Sequence, residues 1–302
     1  DTAIEIEADR FQNLQYDEPQ FKTEAGAVYG EYRKSRTSPF SVMFEEVQNA
    51  AFDVHTYKHT TIGFERDIAD MPNQFDYSRT FFERFYRPEN VVIVVTGDFD
   101  TRRALKQIER HYGGWKKGYV APKVQPEPEQ TAQRRIVVPF DGKTLPIVAI
   151  NFKGERLEPN DRTMMAATLV GELAFGQTSD VYKKLVLEEQ RVQALFEDFG
   201  YNRDPGLWMV LAMVVDPSDV PAVEGELWDA IARLQRTPVD PARLDAARSR
   251  LKYSFLSGLT TPGDVASVLA RFVAITGDVK VVDEMFATPD RVTPDDVTAA
   301  EN

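Results

Sequence analysis

Between Trp115 and Arg135 the chain reads WKKGYVAPKVQPEPEQTAQRR, with three prolines and closely alternating charge. Nothing in that stretch can turn a continuous apolar face toward a core, so it has the character of a linker. A linker near the middle of 302 residues leaves two pieces, each long enough to bury a core. The expected layout is a first domain over 1–119, a linker over 120–135 and a second domain over 136–302. The chain starts at Asp1, not Met, and its last residues, from Thr298 to Asn302, read as the start of a helix. Both ends are therefore expected to be cut, leaving the C-terminal part of the first domain and a second domain shortened at its end.

Apolar periodicity fills in the elements. From Glu18 to Phe52 apolar residues recur at helical spacing (Phe21, Ala25, Val28, Tyr32, then Val42, Val47, Ala51), and Pro39 divides the run into two helices. Asp53 to Gly63 lacks a period and reads as a loop. Phe75–Tyr86 and Thr101–Tyr112 are amphipathic helices, the second stopped by Gly113-Gly114. Asn90 to Asp98 (NVVIVVTGD) is a β-branched run between turn residues, which predicts a fully buried strand. Past the linker, strands are expected at Ile136–Phe140 and Ile147–Phe152, and helices at Asp161–Ala174 and Ser179–Gln190. A hairpin of Val192–Tyr201 and Leu207–Asp216 follows, then helices at Ser218–Gln235, Asp240–Ser257, Gly263–Thr276, Val279–Phe286 and from Thr293. Strands, helices, hairpin, helices is an α+β order: a mostly antiparallel sheet with helices packed on one face. The first half fits the same plan with its first strands missing, so the fold class is α+β in two tandem domains.

Composition excludes several functions. Lys plus Arg number 36 and Asp plus Glu 48, a formal charge of −12, with no basic cluster. Nucleic acid and anionic membrane are therefore not the expected partners. No apolar run approaches the ~20 residues of a membrane span. Zero cysteines remove disulfides, thiolate metal sites and cysteine nucleophiles.

Few residues remain for chemistry. Glu24 and Glu31 stand seven apart on one expected helix, nearly two turns, so both carboxylates face the same way. The rise between them is about 10 Å. They cannot both hold one small ion directly. Either one is a ligand with the other supporting it at a distance, or both belong to a solvated helix face. His55 and His59 have the i, i+4 spacing of a zinc pair, but the threonines around them disfavour a helix and no glutamate stands where a zinc-protease motif needs it. His111 lies near a helix C-terminus, where its charge is favourable. Gly26 and Gly30 cost the first helix about 1 kcal/mol each relative to alanine; close approach of another segment would justify that, and so would tolerant packing. There is no phosphate-binding glycine loop, and three histidines give little choice for a catalytic triad.

Five stretches, in order along almost the whole chain, carry a resemblance. Glu5-Ile-Glu-Ala-Asp-Arg-Phe-Gln-Asn-Leu14 and Glu24-Ala-Gly-Ala-Val-Tyr-Gly-Glu31-Tyr-Arg-Lys34 are similar to the segments around the late glutamate ligand of the pitrilysin/insulinase metallopeptidases, family M16. His55-Thr-Tyr57 with Gly63, and Arg87-Pro-Glu-Asn90 before TGDFD, match later landmarks of that family. Gln177-Thr-Ser179-Asp-Val-Tyr182-Lys-Lys-Leu185, followed by Glu188-Glu-Gln-Arg-Val192, resembles its second-domain helix.

The resemblance implies zinc-assisted hydrolysis of peptides or unfolded polypeptides, in which two histidines and the glutamate of an H-x-x-E-H helix act with one later glutamate. It places that later zinc ligand on Glu31 and a supporting carboxylate on Glu24. It also implies a second M16-like half or subunit as partner, peptides held between two halves, often at an exposed sheet edge, and a periplasmic location. The chain departs from the pattern in one respect: it contains no H-x-x-E-H string, and only 30 residues precede Glu31. It carries one zinc ligand of three, and on its own is expected to show neither a tight zinc site nor peptidase activity. The leading expectation is the catalytic half of an M16 zinc peptidase seen without its zinc helix. The alternative is a non-catalytic M16-like half that serves as a chamber wall or structural subunit. A third, an unrelated function on a borrowed scaffold, is the weakest.

Overall fold

Local caps set most helix boundaries. Asp17 accepts a hydrogen bond from the Gln20 amide at 2.8 Å, and the Gln20 side chain returns one from the Asp17 amide at 2.9 Å, closing a capping box. Ser38 caps the next helix, with Pro39 in its first turn, so the expected division of the run at Pro39 falls where that helix starts. The computed structural model describes residues 2–300. They form two compact units. One runs up to Val92 and resumes over Asp98–Thr144; the other holds Ile93–Gly97 and the chain from Leu145 onward.

The first unit contains α1 (Thr2–Asn13), α2 (Glu18–Ser35), α3 (Pro39–Ala51), α4 (Glu65–Asp70), α5 (Phe75–Phe85) and α6 (Thr101–Tyr112). Helix α2 turns Ala25 and Tyr32 inward and packs on α4 and α5. Beside it Tyr16 stacks on Phe21, and both rings meet Phe75. Helix α1 lies along α6, where Gln12 Nε2 donates to the His111 carbonyl at 2.9 Å. Helix α1 is not among the sequence expectations, although Ile4, Ala8 and Phe11 are helically spaced.

The second unit is α+β. Strands β1 (Ile147–Lys153), β2 (Val192–Phe199) and β3 (Leu207–Val214) form an antiparallel sheet in the order β1-β3-β2. Helix α7 (Arg162–Phe175) is buried over ten of its 14 residues. A helix buried nearly all round belongs inside a core, not on its surface. Helix α8 (Asp180–Tyr182) continues as a π turn over Lys183–Glu188, and Gln190 follows with φ 53°, before β2 begins. Helices α9 (Val220–Arg236), α10 (Pro241–Ser257), α11 (Pro262–Thr276), α12 (Val281–Ala287) and α13 (Pro294–Ala299) complete the unit. Four of these five carry a proline in the first turn, where its missing N–H costs nothing. The expected hairpin and these helices are seen within a few residues of their predicted ends.

Two expectations are corrected. The Asn90–Asp98 run is not a buried strand: it pairs with no other strand among the described residues, and Val92, Ile93 and Val95 are each more than two-fifths exposed. Ile136–Phe140 makes no strand either, and Val137 is 89% exposed. Both runs have strand composition. A strand also needs a neighbouring backbone to satisfy its N–H and C=O groups, and neither run pairs with the three described strands.

The proline-rich stretch is not slack. The Glu127 carboxylate accepts from three successive backbone amides, Asp53 at 2.6 Å and Val54 and His55 at 3.0 Å each. Arg134 adds a 2.6 Å ion pair to Asp53 and donates to the Ala50 carbonyl at 2.7 Å. No described helix is long and apolar enough to cross a membrane.

Candidate functional site

Helix α2 presents the two glutamates singled out by the sequence. Its inward stripe runs through Phe21, Ala25, Val28 and Tyr32, and Glu24 and Glu31 flank that stripe together, both exposed. Neither carries a hydrogen bond or ion pair among the described residues. Other carboxylates around this helix are committed. Glu18 pairs with Lys22 at 2.8 Å, and Glu65 accepts from the Tyr29 hydroxyl at 3.3 Å. Glu45 holds Arg36 at 3.3 Å and the Tyr32 hydroxyl at 3.2 Å. Burial first, and the Glu45 charge second, push the Tyr32 phenol above its ordinary pKa. Glu24 and Glu31 are thus open acceptors on a rigid element, suited to an oxygen-donor role.

The histidines do not join them. His55 is buried and caps the short 3₁₀ turn Thr56–Lys58, with Nδ1 accepting from the Tyr57 amide at 3.1 Å and its ring 4.3 Å from the Tyr57 ring. His59 sits beside Phe64, with Nδ1 2.9 Å from the Thr60 carbonyl oxygen. The HTYKH stretch is not an α-helix, so its i, i+4 spacing does not converge on one point. His111 occupies the last turn of α6. Among the described residues no three His, Cys, Asp or Glu side chains gather as a metal-holding group. An alanine methyl at Gly26 or Gly30 would meet nothing within 4 Å, so no described segment approaches closely there. A groove of about 470 Å³ lies between α3 and residues 136–139, lined by Val42, Glu46, Asn49 and Ile136 among others, and it includes neither glutamate.

Two further acidic groups are absent from the sequence-derived candidates. Glu172 of α7 is half-buried and pairs with Arg250 of α10 at 2.7 Å; burial outweighs that partner and raises its pKa. Glu197 of β2 shares the helix-facing side of the sheet with Leu195, Phe199 and Val210. Burial, with smaller contributions from Glu172 and Asp198, raises its pKa to about 7. Its alternation with Leu195 and Phe199 was the available sequence signal: a carboxylate in the register of a core-facing row.

Comparison with known proteins gives a consistent frame. Zinc protease PqqE of Helicobacter pylori is 25% identical over 280 residues, 90% of this chain and 62% of that protein. The chain therefore spans less than two thirds of that relative's length. In structure it is similar to a protease from Helicobacter pylori, with TM-score 0.90 and 22% identity over 100% of this chain and 73% of the other. It is also similar to a peptidase M16 inactive domain from Pseudomonas fluorescens, with TM-score 0.82 and 16% identity over 99% and 70%. Residues 74–251, more than half the chain, match the family model described as the peptidase M16 inactive domain. The two-unit α+β architecture, the order of the sequence landmarks and this match agree: the chain belongs to the peptidase M16 inactive domain family.

Proposed function

We propose that this chain supplies part of an M16-type zinc endopeptidase that acts on peptides or unfolded polypeptides, with Glu31 as one zinc ligand and Glu24 as its supporting carboxylate. The observation that carries the reading is the pair of exposed, uncommitted carboxylates two turns apart on α2, while Glu18, Glu45 and Glu65 nearby are engaged. Glu31 fits zinc as a single oxygen donor, and a bound zinc would act as a Lewis acid and activate water. The described residues do not complete the set, because His55 is packed among rings and no third ligand is near. Two histidines must therefore come from an H-x-x-E-H helix outside these residues, and the partner half of the peptide chamber belongs to the same proposal. A periplasmic location rests on the resemblance alone.

The second reading is a non-catalytic half that walls the chamber. It is favoured by the family description, since the matched span 74–251 is called inactive and contains neither Glu24 nor Glu31. The test is to join the chain to an H-x-x-E-H-bearing M16 segment and measure bound zinc and hydrolysis of an unfolded peptide. The expected outcome is about one zinc per assembly, with Glu31→Gln weakening zinc at least about tenfold, the scale of losing a supporting interaction or more. Unchanged zinc and activity in the Gln variant would overturn the assignment. Zinc-dependent hydrolysis by the unjoined chain would overturn the claim that its own ligand set is incomplete.

A further inference from the structure

Glu197 is an anomaly in the best-packed part of the molecule. On its row of the sheet it pairs with Val210, which in turn pairs with Ile150, and both of those are buried. Along β2 its neighbours on the same face are Leu195 and Phe199, and the facing element is α7. The contact is made over Gly171. The point where a Cβ on Gly171 would stand lies 3.0 Å from Glu197 Cγ and 3.5 Å from Trp208 Nε1. Trp208 is buried between Phe152, Phe175 and Phe199, and its indole N–H has no hydrogen-bond partner among the described residues. A carboxyl, an orphaned donor and a bare helix turn therefore share one small space.

The charges around it are unfavourable to ionisation. From α7, Glu172 faces it, and Arg250 of α10 is taken by Glu172. On its own strand Asp198 follows it. Lys184, from the π turn that also packs on β2, is committed to Glu226. None of the groups that act on Glu197 is a cation, and burying an unpaired carboxylate is costly.

We propose that the protonation state of Glu197 governs how the edge strand β2 seats against α7, so that the second unit is tight in acid and loosens above neutrality. Protonated, the side chain lies across Gly171 as a neutral group. Ionised, it is a buried charge with no cation beside it and with the Glu172 and Asp198 charges nearby, and movement toward water, off the helix, relieves that cost. The sign follows from linkage: the folded chain holds this proton to about pH 7 while the unfolded chain releases it near 4.5. The contribution is thus fully present below the ordinary carboxylate value and is lost as pH rises through about 7. β2 lies at one end of the strand order, so what loosens is an edge.

The test uses the full chain with no ligand. The Glu197 side-chain carbonyl carbon is followed by NMR from pH 3 to 9, and amide exchange of Leu195 and Phe199, corrected for intrinsic rate, is compared at pH 5 and 8. The expected result is a Glu197 midpoint near neutrality and a loss of β2 protection of at least about tenfold in the wild type, one pKa unit's worth. Glu197→Gln, which keeps the shape and removes the charge, should retain protection at both pH values. A midpoint at the ordinary carboxylate value, or an equal loss in the Gln variant, overturns the proposal. Neither readout depends on Glu31 or zinc.

Discussion

Helices α6 and α7 are close in length, 12 and 14 residues, yet no residue of α6 is buried and ten of α7 are. The α6 sequence, TRRALKQIERHY, spends its length on charges and leaves only a thin apolar stripe at Ala104 and Ile108. The α7 sequence, RTMMAATLVGELAF, is apolar nearly all round, with Glu172 as the one charge past its first residue. The difference lies also in what each meets. Helix α7 lies between the sheet and five helical elements, α8, α9, α10, α13 and the short turn Thr288–Arg291, whereas α6 has α1 as its main neighbour. Burial is a property of pairs of surfaces. The second unit owns its sheet, and the described residues of the first unit do not include one.

The largest expected effect exploits that contrast directly. Phe175, at the end of α7, is fully buried and touches the Trp208 ring. Phe175→Ala should cost about 3–5 kcal/mol, the transfer energy of a ring plus the cavity it leaves. Leu105 on α6 is 60% exposed, and Leu105→Ala should change stability by less than about 0.5 kcal/mol. Urea unfolding followed by intrinsic fluorescence measures both. Comparable losses at the two positions would mean that α6 is covered in solution, and the comparison would fail.

A smaller effect is expected at Glu127. Its carboxylate gathers three backbone amides in a row, an arrangement like a helix cap without the helix. Glu127→Ala leaves those donors to water, at an expected cost of about 1–2 kcal/mol, and should expose the 120–135 stretch to limited proteolysis. Resistance equal to the wild type would show that Arg134 and its partners hold the segment alone.

Glu127 also marks the limit of what the sequence discloses. Helix boundaries at Ser38-Pro39, Asp100-Thr101 and Asp240-Pro241 are legible because the capping chemistry lies within three residues of the break. The hairpin of β2 and β3 is legible because its two strands are adjacent in the chain. The Asn90–Asp98 and Ile136–Phe140 runs mislead because composition reports only what a strand would like to do, while a ladder depends on a distant neighbour. Glu127 reaches back more than seventy residues to Asp53, and nothing in a proline-rich run announces that. On α2 the face shared by Glu24 and Glu31 follows from helix geometry alone, and their lack of partners emerges only in three dimensions. Glu197 was legible in principle, but the bulge between Val192 and Ala194 shifts the register just ahead of it.

The smallest effect bears on the open side of α2. Gly26 and Gly30 sit in the interior of an 18-residue helix, and a methyl at either would meet nothing within 4 Å. A helical glycine with free space around it costs conformational entropy and returns no packing. Gly30→Ala should therefore stabilise this chain by about 0.5–1 kcal/mol, opposite in sign to Phe175→Ala and Glu127→Ala. Gly171→Ala is the matched control in α7, where the same methyl would stand 3.0 Å from Glu197 Cγ and should destabilise. Gly30 also adjoins Glu31. If a further M16 segment lies on that side of α2 in the proposed assembly, Gly30→Ala will raise the stability of this chain and lower the activity of the joined assembly. A gain in stability with undiminished activity would leave that side of the helix open to solvent, and the two glycines would be a tolerated cost with no closer neighbour to explain them.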